Sequence, residues 1–376
     1  MLQTEPSPDS TRQETAKKYA RLTRRLFFVQ LAIIGVSLLV LVFGGLSAKL
    51  SYFLAFPQPW ASASYLLTLI IGYGLITSPL SYYEGFILPH RYGLSNQRFK
   101  PWLADRAKAS TLGILLALGI VIVIYLLIEH LTNTWWLCAG VFVTLLSLLL
   151  TRLTPTLLLS LFFKLEPLED TDLREKLVNL AKSARTQVCD VFTMDLSHKG
   201  TTANAMLAGL GGTKRIIISD TLLQQYSPEE IEIILAHELG HHLHHDIPKL
   251  IGVQAIISLL AFYLANLVLK ASLIPLAFQG IGDITAFPLL ILVLATFALS
   301  MMPLTNAYSR HLETMADETA LQLTANPKAF ITAMTKLTDQ NLSEAQPSQW
   351  VELLFYDHPP YTKRIKLAHH YLQIAT

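Results

Sequence analysis

Charge is what this chain has least of. Asp, Glu, Lys and Arg make up 15% of its 376 residues, against roughly 25% in soluble globular proteins. That scarcity argues against a pair of ordinary soluble domains, the default reading for this length. Cysteine is almost missing too. Cys138 and Cys189 are the two present; they lie in different predicted environments and form no C-x-x-C pair, so no disulfide framework is expected. The basic residues form no stripe with interleaved aromatics, and the net charge is only +2, so nucleic acid is not an expected partner. No internal repeat is present.

Apolar residues fill the gap, at 52% of the chain with a mean hydropathy of +0.42. They gather in blocks long enough to cross a bilayer core, which takes about 20 helical residues. Six blocks qualify: Leu26–Leu46, Ala61–Leu80, Thr111–Ile128, Trp135–Phe163, Ile251–Leu273 and Ala286–Leu304. The first, second, third and sixth carry no Asp, Glu, Lys or Arg. The fourth is over-long and holds Arg152 and Pro155. It is either a kinked span that continues beyond the lipid or a span followed by a buried amphipathic helix. The first block is too long for a signal-peptide core and reads as a signal anchor.

Basic residues set the orientation. Lys17, Lys18, Arg21, Arg24 and Arg25 precede the first block, and Arg91, Arg98, Lys100, Arg106 and Lys108 fill the second loop. The first loop has only Lys49, the third has no Lys or Arg, and the fifth has at most Lys270 at its border. Both termini and the polar segment 164–250 are therefore expected in the cytosol. The resulting division is a cytosolic tail (1–25, flexible over 1–16) and a four-span membrane domain (26–163). A first polar segment (164–250), two further spans (251–304) and a second polar segment (305–376) follow.

The polar segment starts with helical spacing over Leu173–Ala184. Short runs Val188–Met194, Asn204–Ala208 and Arg215–Ser219 follow, broken by His198-Lys199-Gly200 and Gly209-Leu210-Gly211-Gly212. This pattern predicts a small sheet with a hairpin. Ser227-Pro228-Glu229-Glu230 then opens a helix, with Ser as N-cap, Pro first and Glu third. Inside that helix lies His237-Glu238-Leu239-Gly240-His241. One turn separates the two histidines, so both imidazoles face one way and can share one zinc ion. Glu238 lies beside them, within reach of a water on that ion. His245 is eight residues from His237, roughly 12 Å along a helix axis, too far to share the same ion. His242, His244 and His245 are read as polar interfacial histidines, with an accessory metal site as the alternative. A third ligand must come from another element. Glu313 is the candidate, with Asp317 four residues on and on the same face, able to accept a hydrogen bond from a ligand histidine. The competing reading is a solvated face carrying an Arg310–Glu313 pair.

These residues, in this order, resemble the type I CAAX prenyl endopeptidase family of integral-membrane zinc metallopeptidases and, more distantly, the bacterial heat-shock membrane zinc protease. The resemblance covers roughly residues 80–376. It rests further on Tyr83-Glu84-Gly85-Phe86, His90 to Gln97, Pro155 to Lys164, Pro167 to Asp170, Asn204-Ala205, Lys214 to Leu222, and His358-Pro359-Pro360 with Arg364-Ile365. It implies a helical barrel around an intramembrane chamber, with an inserted zincin-like α+β protease domain. It also implies one catalytic Zn2+ held by His237, His241 and Glu313, with Glu238 as base. Asn204 and Ala205 would line the substrate strand, while His358 and Arg364 would stabilise the substrate carbonyl or transition state. The eukaryotic members have seven spans where six are read here, and the loop His90-Arg91-Tyr92-Gly93-Leu94 is similar to bacterial members, which points to a bacterial plasma membrane.

The expected activity is hydrolysis of peptide bonds in membrane-associated or lipid-anchored polypeptides. A zinc transporter using residues 237–245 is a competing class. Transporters place ionisable residues inside their spans, whereas these flank them. A catalytically inactive scaffold is the other alternative, and the intact pentad with Glu313 speaks against it.

Overall fold

The computed structural model describes residues 6–54, 60–153, 159–209 and 214–375. Helix α1 (Ser10–Phe43) leads to α2 (Leu46–Phe53) and α3 (Trp60–Tyr82), which passes through a π-helical turn (Tyr83–Ile87) into α4 (Leu88–Arg91). Then come α5 (Phe99–His130), α6 (Trp135–Leu153) and the single turn α7 (Leu159–Phe162). A mixed segment follows: β1 (Leu165–Pro167), α8 (Thr171–Ser183), β2 (Asp190–Met194), β3 (Ala205–Ala208), β4 (Arg215–Ser219) and α9 (Asp220–Gln225). Helices α10 (Pro228–Leu243), α11 (Asp246–Ser272), α12 (Phe287–Thr324), α13 (Pro327–Gln340), α14 (Gln349–Phe355) and α15 (Tyr361–Ala375) complete the chain.

Six helices among the described residues are long and apolar enough to cross a membrane, one on each predicted block. Two run well past the lipid. α1 has 34 residues, about 50 Å, against a hydrocarbon core of about 30 Å. Its surplus is the basic stretch, capped where the Asp9 side chain accepts from the Arg12 N–H at 2.9 Å. The expected flexible tail is corrected here, since residues from Ser10 onward are helical. Asp9 N–H donates to Asp339 Oδ2 at 2.9 Å, Arg12 Nε to the Asp339 carbonyl at 2.9 Å, and Ala345 N–H to Gln13 Oε1 at 2.9 Å. Composition alone suggested disorder, but contacts to a segment over 300 residues away supply the order. α12 is also over-long, with 38 residues. Its first half is the sixth apolar block and its second half carries Glu313 and Asp317.

The fourth block is helical as far as Leu153 and again over Leu159–Phe162. Pro155 lies outside the described residues, as do Leu210 to Gly212 of the predicted turn. In α3, Pro79 removes the amide that would bond the Leu75 carbonyl, and Ser78 Oγ donates to that carbonyl at 2.9 Å instead, as apolar surroundings demand.

The sheet has strand order β1-β2-β4-β3, with β2 and β4 parallel and the other two pairings antiparallel. β3 and β4 form the predicted hairpin, which leaves β3 at one edge. Ile216, Ile218, Leu222, Ile233 and Leu235 bury one sheet face under α10. A separate apolar cluster around Trp135, Phe262 and Leu269 holds α6 against α11. There the Trp135 indole N–H donates to Asn266 Oδ1 at 2.9 Å.

Candidate active site

Two helices, α10 and α12, carry the site. α10 begins with a reciprocal cap: Glu230 N–H donates to Ser227 Oγ at 3.3 Å and Ser227 N–H to Glu230 Oε2 at 2.8 Å. α12 crosses α10 at Gly240, which has no side chain to hold them apart. A Cβ built there would meet Ala316 Cα at 2.9 Å. This close approach sets Glu313, three residues before Ala316, and Asp317, the residue after it, beside the two histidines of α10.

His237 Nε2 and His241 Nε2 lie 3.2 Å apart. Glu313 Oε2 is 3.2 Å from the first, and Glu313 Oε1 is 3.3 Å from the second. Ligand atoms each about 2.0–2.1 Å from one tetrahedral zinc stand about 3.3 Å from one another, so the spacing fits a single ion. Among the described residues, these three are the group able to hold a metal. Glu313 Oε2 is buried and accepts no hydrogen bond, a costly arrangement for a carboxylate oxygen that a shared cation would relieve.

The far side of each imidazole is fixed. His237 Nδ1–H donates to Asp317 Oδ1 at 2.9 Å, and His241 Nδ1–H to Asp246 Oδ2 at 2.9 Å. Both Nε2 lone pairs are thereby left pointing at the common centre. Asp246 was not singled out in the sequence. It reaches back because α10 stops at Leu243 and His245 takes a left-handed conformation, φ 55°, before α11 starts at Asp246. A glycine at 245 would have signalled that turn, but a histidine gives little hint. Replacing Asp246 with Ala is expected to weaken metal binding about 10–100-fold, measured by competition with a chromogenic chelator.

Arg364 stands elsewhere than the resemblance implied. Its Nε donates to Asp317 Oδ2 at 2.8 Å and its Nη2 to Asp317 Oδ1. The guanidinium therefore braces the carboxylate behind His237. His358 does face the site, with Nε2 3.2 Å from Glu313 Oε1 and Nδ1 2.8 Å from Asp357 Oδ1. Its turn is anchored to α12 by Arg310, whose Nη1 donates to the Glu352 carbonyl at 2.9 Å. Arg310 also pairs with the Glu352 carboxylate at 3.7 Å, so the alternative of an Arg310–Glu313 pair is not what forms. Asn204 has an exposed side chain, and Ser219 N–H donates to its carbonyl at 2.9 Å. It directly precedes edge strand β3, which Ala205 opens and which packs against α10. The remaining histidines are engaged locally. His242 Nε2 is 2.7 Å from Lys214 Nζ, His244 Nε2 is 2.8 Å from Thr319 Oγ1, and His245 Nδ1 is 3.0 Å from the His242 carbonyl.

Electrostatics follow the geometry. Burial lowers the His237 pKa, but Asp317 and Glu313 outweigh it and raise it to about 9. Burial raises the Glu238 carboxyl above its ordinary value, with His237 and His241 pulling the other way. Asp357 raises His358 against the effect of its burial. A ligand histidine must be unprotonated at its metal-facing nitrogen, so an ion competes with a proton for His237. Titration calorimetry at pH 7.5 in buffers of different ionisation enthalpy is expected to show about one proton released per ion or more. Affinity should rise with pH up to about 9, and no proton release would contradict the pairing.

The profile of Peptidase family M48 matches residues 167–372. That of the CAAX prenyl protease N-terminal region, described as five membrane helices, matches residues 5–164, where four span-length helices lie among the described residues. The uncharacterized metalloprotease YhfN of Bacillus subtilis is 27% identical over 360 residues, 94% of this chain and 84% of that one. A CAAX prenyl protease 1 homolog of Arabidopsis thaliana is 32% identical over 297 residues, 77% of this chain and 68% of the relative. The crystal structure of S. mikatae Ste24p shares the fold, with a TM-score of 0.83 and 23% identity, over 97% of this chain and 91% of that one. The chain therefore belongs to peptidase family M48, as a membrane-embedded metalloendopeptidase of the CAAX prenyl protease kind.

Proposed function

We propose that His237, His241 and Glu313 hold a single zinc ion and that Glu238 is the general base of peptide-bond hydrolysis. The convergence of two Nε2 atoms and one carboxylate within 3.3 Å of one another carries this reading. An ion held by these three residues would supply Lewis-acid chemistry, able to polarise a carbonyl and to make water more acidic. Glu238 takes the proton as water attacks and passes it to the departing amine. His358 donates to the oxygen on which negative charge develops. Asp317, Asp246 and Arg364 are positioning residues: the carboxylates hold the imidazoles, and Arg364 holds Asp317 in turn. Substrate backbone adds to the open edge of β3 beside Asn204 and Ala205, an arrangement that reads main chain more than side chains.

The substrates on this reading are membrane-associated or lipid-anchored polypeptides, in line with the names of the prenyl protease relatives. Basic residues in the first segment and the second loop favour a protease domain and both termini on the cytosolic side of a bacterial plasma membrane. The division into segments 1–25, 26–163, 164–250, 251–304 and 305–376 belongs to the same proposal. The purified protein in detergent, stripped with a chelator, is expected to lose peptide cleavage and regain it with about one zinc per chain. Cleavage indifferent to both treatments would refute the assignment.

A further inference from the structure

A cavity of about 690 Å³ opens beside the His358 turn, large enough for one or more substrate side chains. One wall is a single face of α1, where Tyr19, Thr23, Phe27 and Gln30 recur at helical spacing. The opposite wall is formed by α13 and the turn carrying His358. Glu84 also lines this space.

The charges in the lining are matched, with one exception. Arg24 pairs with Glu344 at 3.2 Å, His358 with Asp357 at 2.8 Å, and Arg364 with Asp317 behind the wall. Glu84 has a neutral partner instead, since Gln30 Nε2 donates to its Oε2 at 2.7 Å. Among the described residues, no Lys, Arg or His is ion-paired with it. Glu84 is half-buried at the end of an apolar span, where a carboxylate without a counter-charge is uncommon. Glu84 also sits in the π-helical turn Tyr83–Ile87, a distortion that recurs at functional positions. The carboxylate, the turn and the shared cavity are separate observations that converge on one residue.

We propose that Glu84 is a specificity-determining residue that receives a cationic side chain, Lys or Arg, of the substrate polypeptide close to the scissile bond. This rests on the peptidase reading above. Because His358 lines the same cavity, a side chain seated against Glu84 belongs to a chain whose backbone also reaches the metal. The ammonium or guanidinium would complete the charge balance that Gln30 leaves open. Burying its alkyl stem between Phe27 and the opposite wall would use the apolar part of the lining.

The test uses the full-length enzyme and matched fluorogenic peptides, with Lys placed in turn at about four positions on each side of the cleaved bond. Each Lys peptide is compared with its norleucine counterpart. The wild type is expected to favour Lys at one position about ten- to hundredfold in kcat/KM, the size of one charge-assisted contact. Glu84→Gln should bring that ratio close to one, and Glu84→Arg should push it below one. Metal content of one ion per chain verifies that each variant is folded. Lys-to-norleucine ratios identical in the wild type and both variants would overturn the proposal, as would a wild type indifferent to Lys everywhere. Failure to cleave any peptide would instead overturn the peptidase reading, and this inference with it.

Discussion

Glu238→Gln is expected to keep its metal and lose about 10²–10⁴-fold in kcat, the usual contribution of a positioned base. The two side chains have nearly the same shape, and Glu238 is not among the three residues that converge on the metal centre. Coordination should therefore survive while proton transfer stops. Burial already lifts the Glu238 carboxyl above its ordinary value, which makes its carboxylate a stronger base. Metal analysis beside a peptide assay separates the two effects. A variant with full metal and full activity would remove Glu238 from the mechanism, and one without metal would make it a structural residue.

Gly240→Ala should be nearly as damaging, for a purely steric reason. The added Cβ would stand 2.9 Å from Ala316 Cα, 3.2 Å from the Ala316 carbonyl oxygen and 3.2 Å from Thr319 Cβ. Two of these neighbours are backbone atoms, which cannot rotate away. α10 and α12 must therefore separate, and Glu313 moves with α12. Overpacking of this kind costs about 1–3 kcal/mol, and at a metal centre a displacement of a few tenths of an ångström also breaks coordination. The expected result is a lower unfolding temperature and metal content well below one per chain. Wild-type metal content and stability would show that the helices have slack at this crossing.

The histidine pair was legible because its signal is local: one helical turn, a strong N-terminal cap and a span that starts directly afterwards. Glu313 and Asp317 were legible through their four-residue spacing after the last apolar block. The edge strand could be read as a short apolar run between turns. What escaped depends on contacts distant in sequence. Residues 10–25 look like a charged tail, and nothing near them reveals that Asp9, Arg12 and Gln13 bind a segment around Asp339. Asp246 is close in sequence to His241, yet its role depends on a left-handed turn at His245 that the residue type does not announce. Arg364 was assigned to substrate by likeness of motif. Its actual neighbour Asp317 lies 47 residues away, and only the docking of α15 brings them together.

Anomalous diffraction at the zinc absorption edge, on crystals of the metal-loaded protein, tests the central claim most directly. The account requires one strong peak about 2.0–2.2 Å from His237 Nε2, His241 Nε2 and a Glu313 oxygen. A peak lying away from either helix, or one held by both histidines with Glu313 beyond about 3 Å, would contradict it.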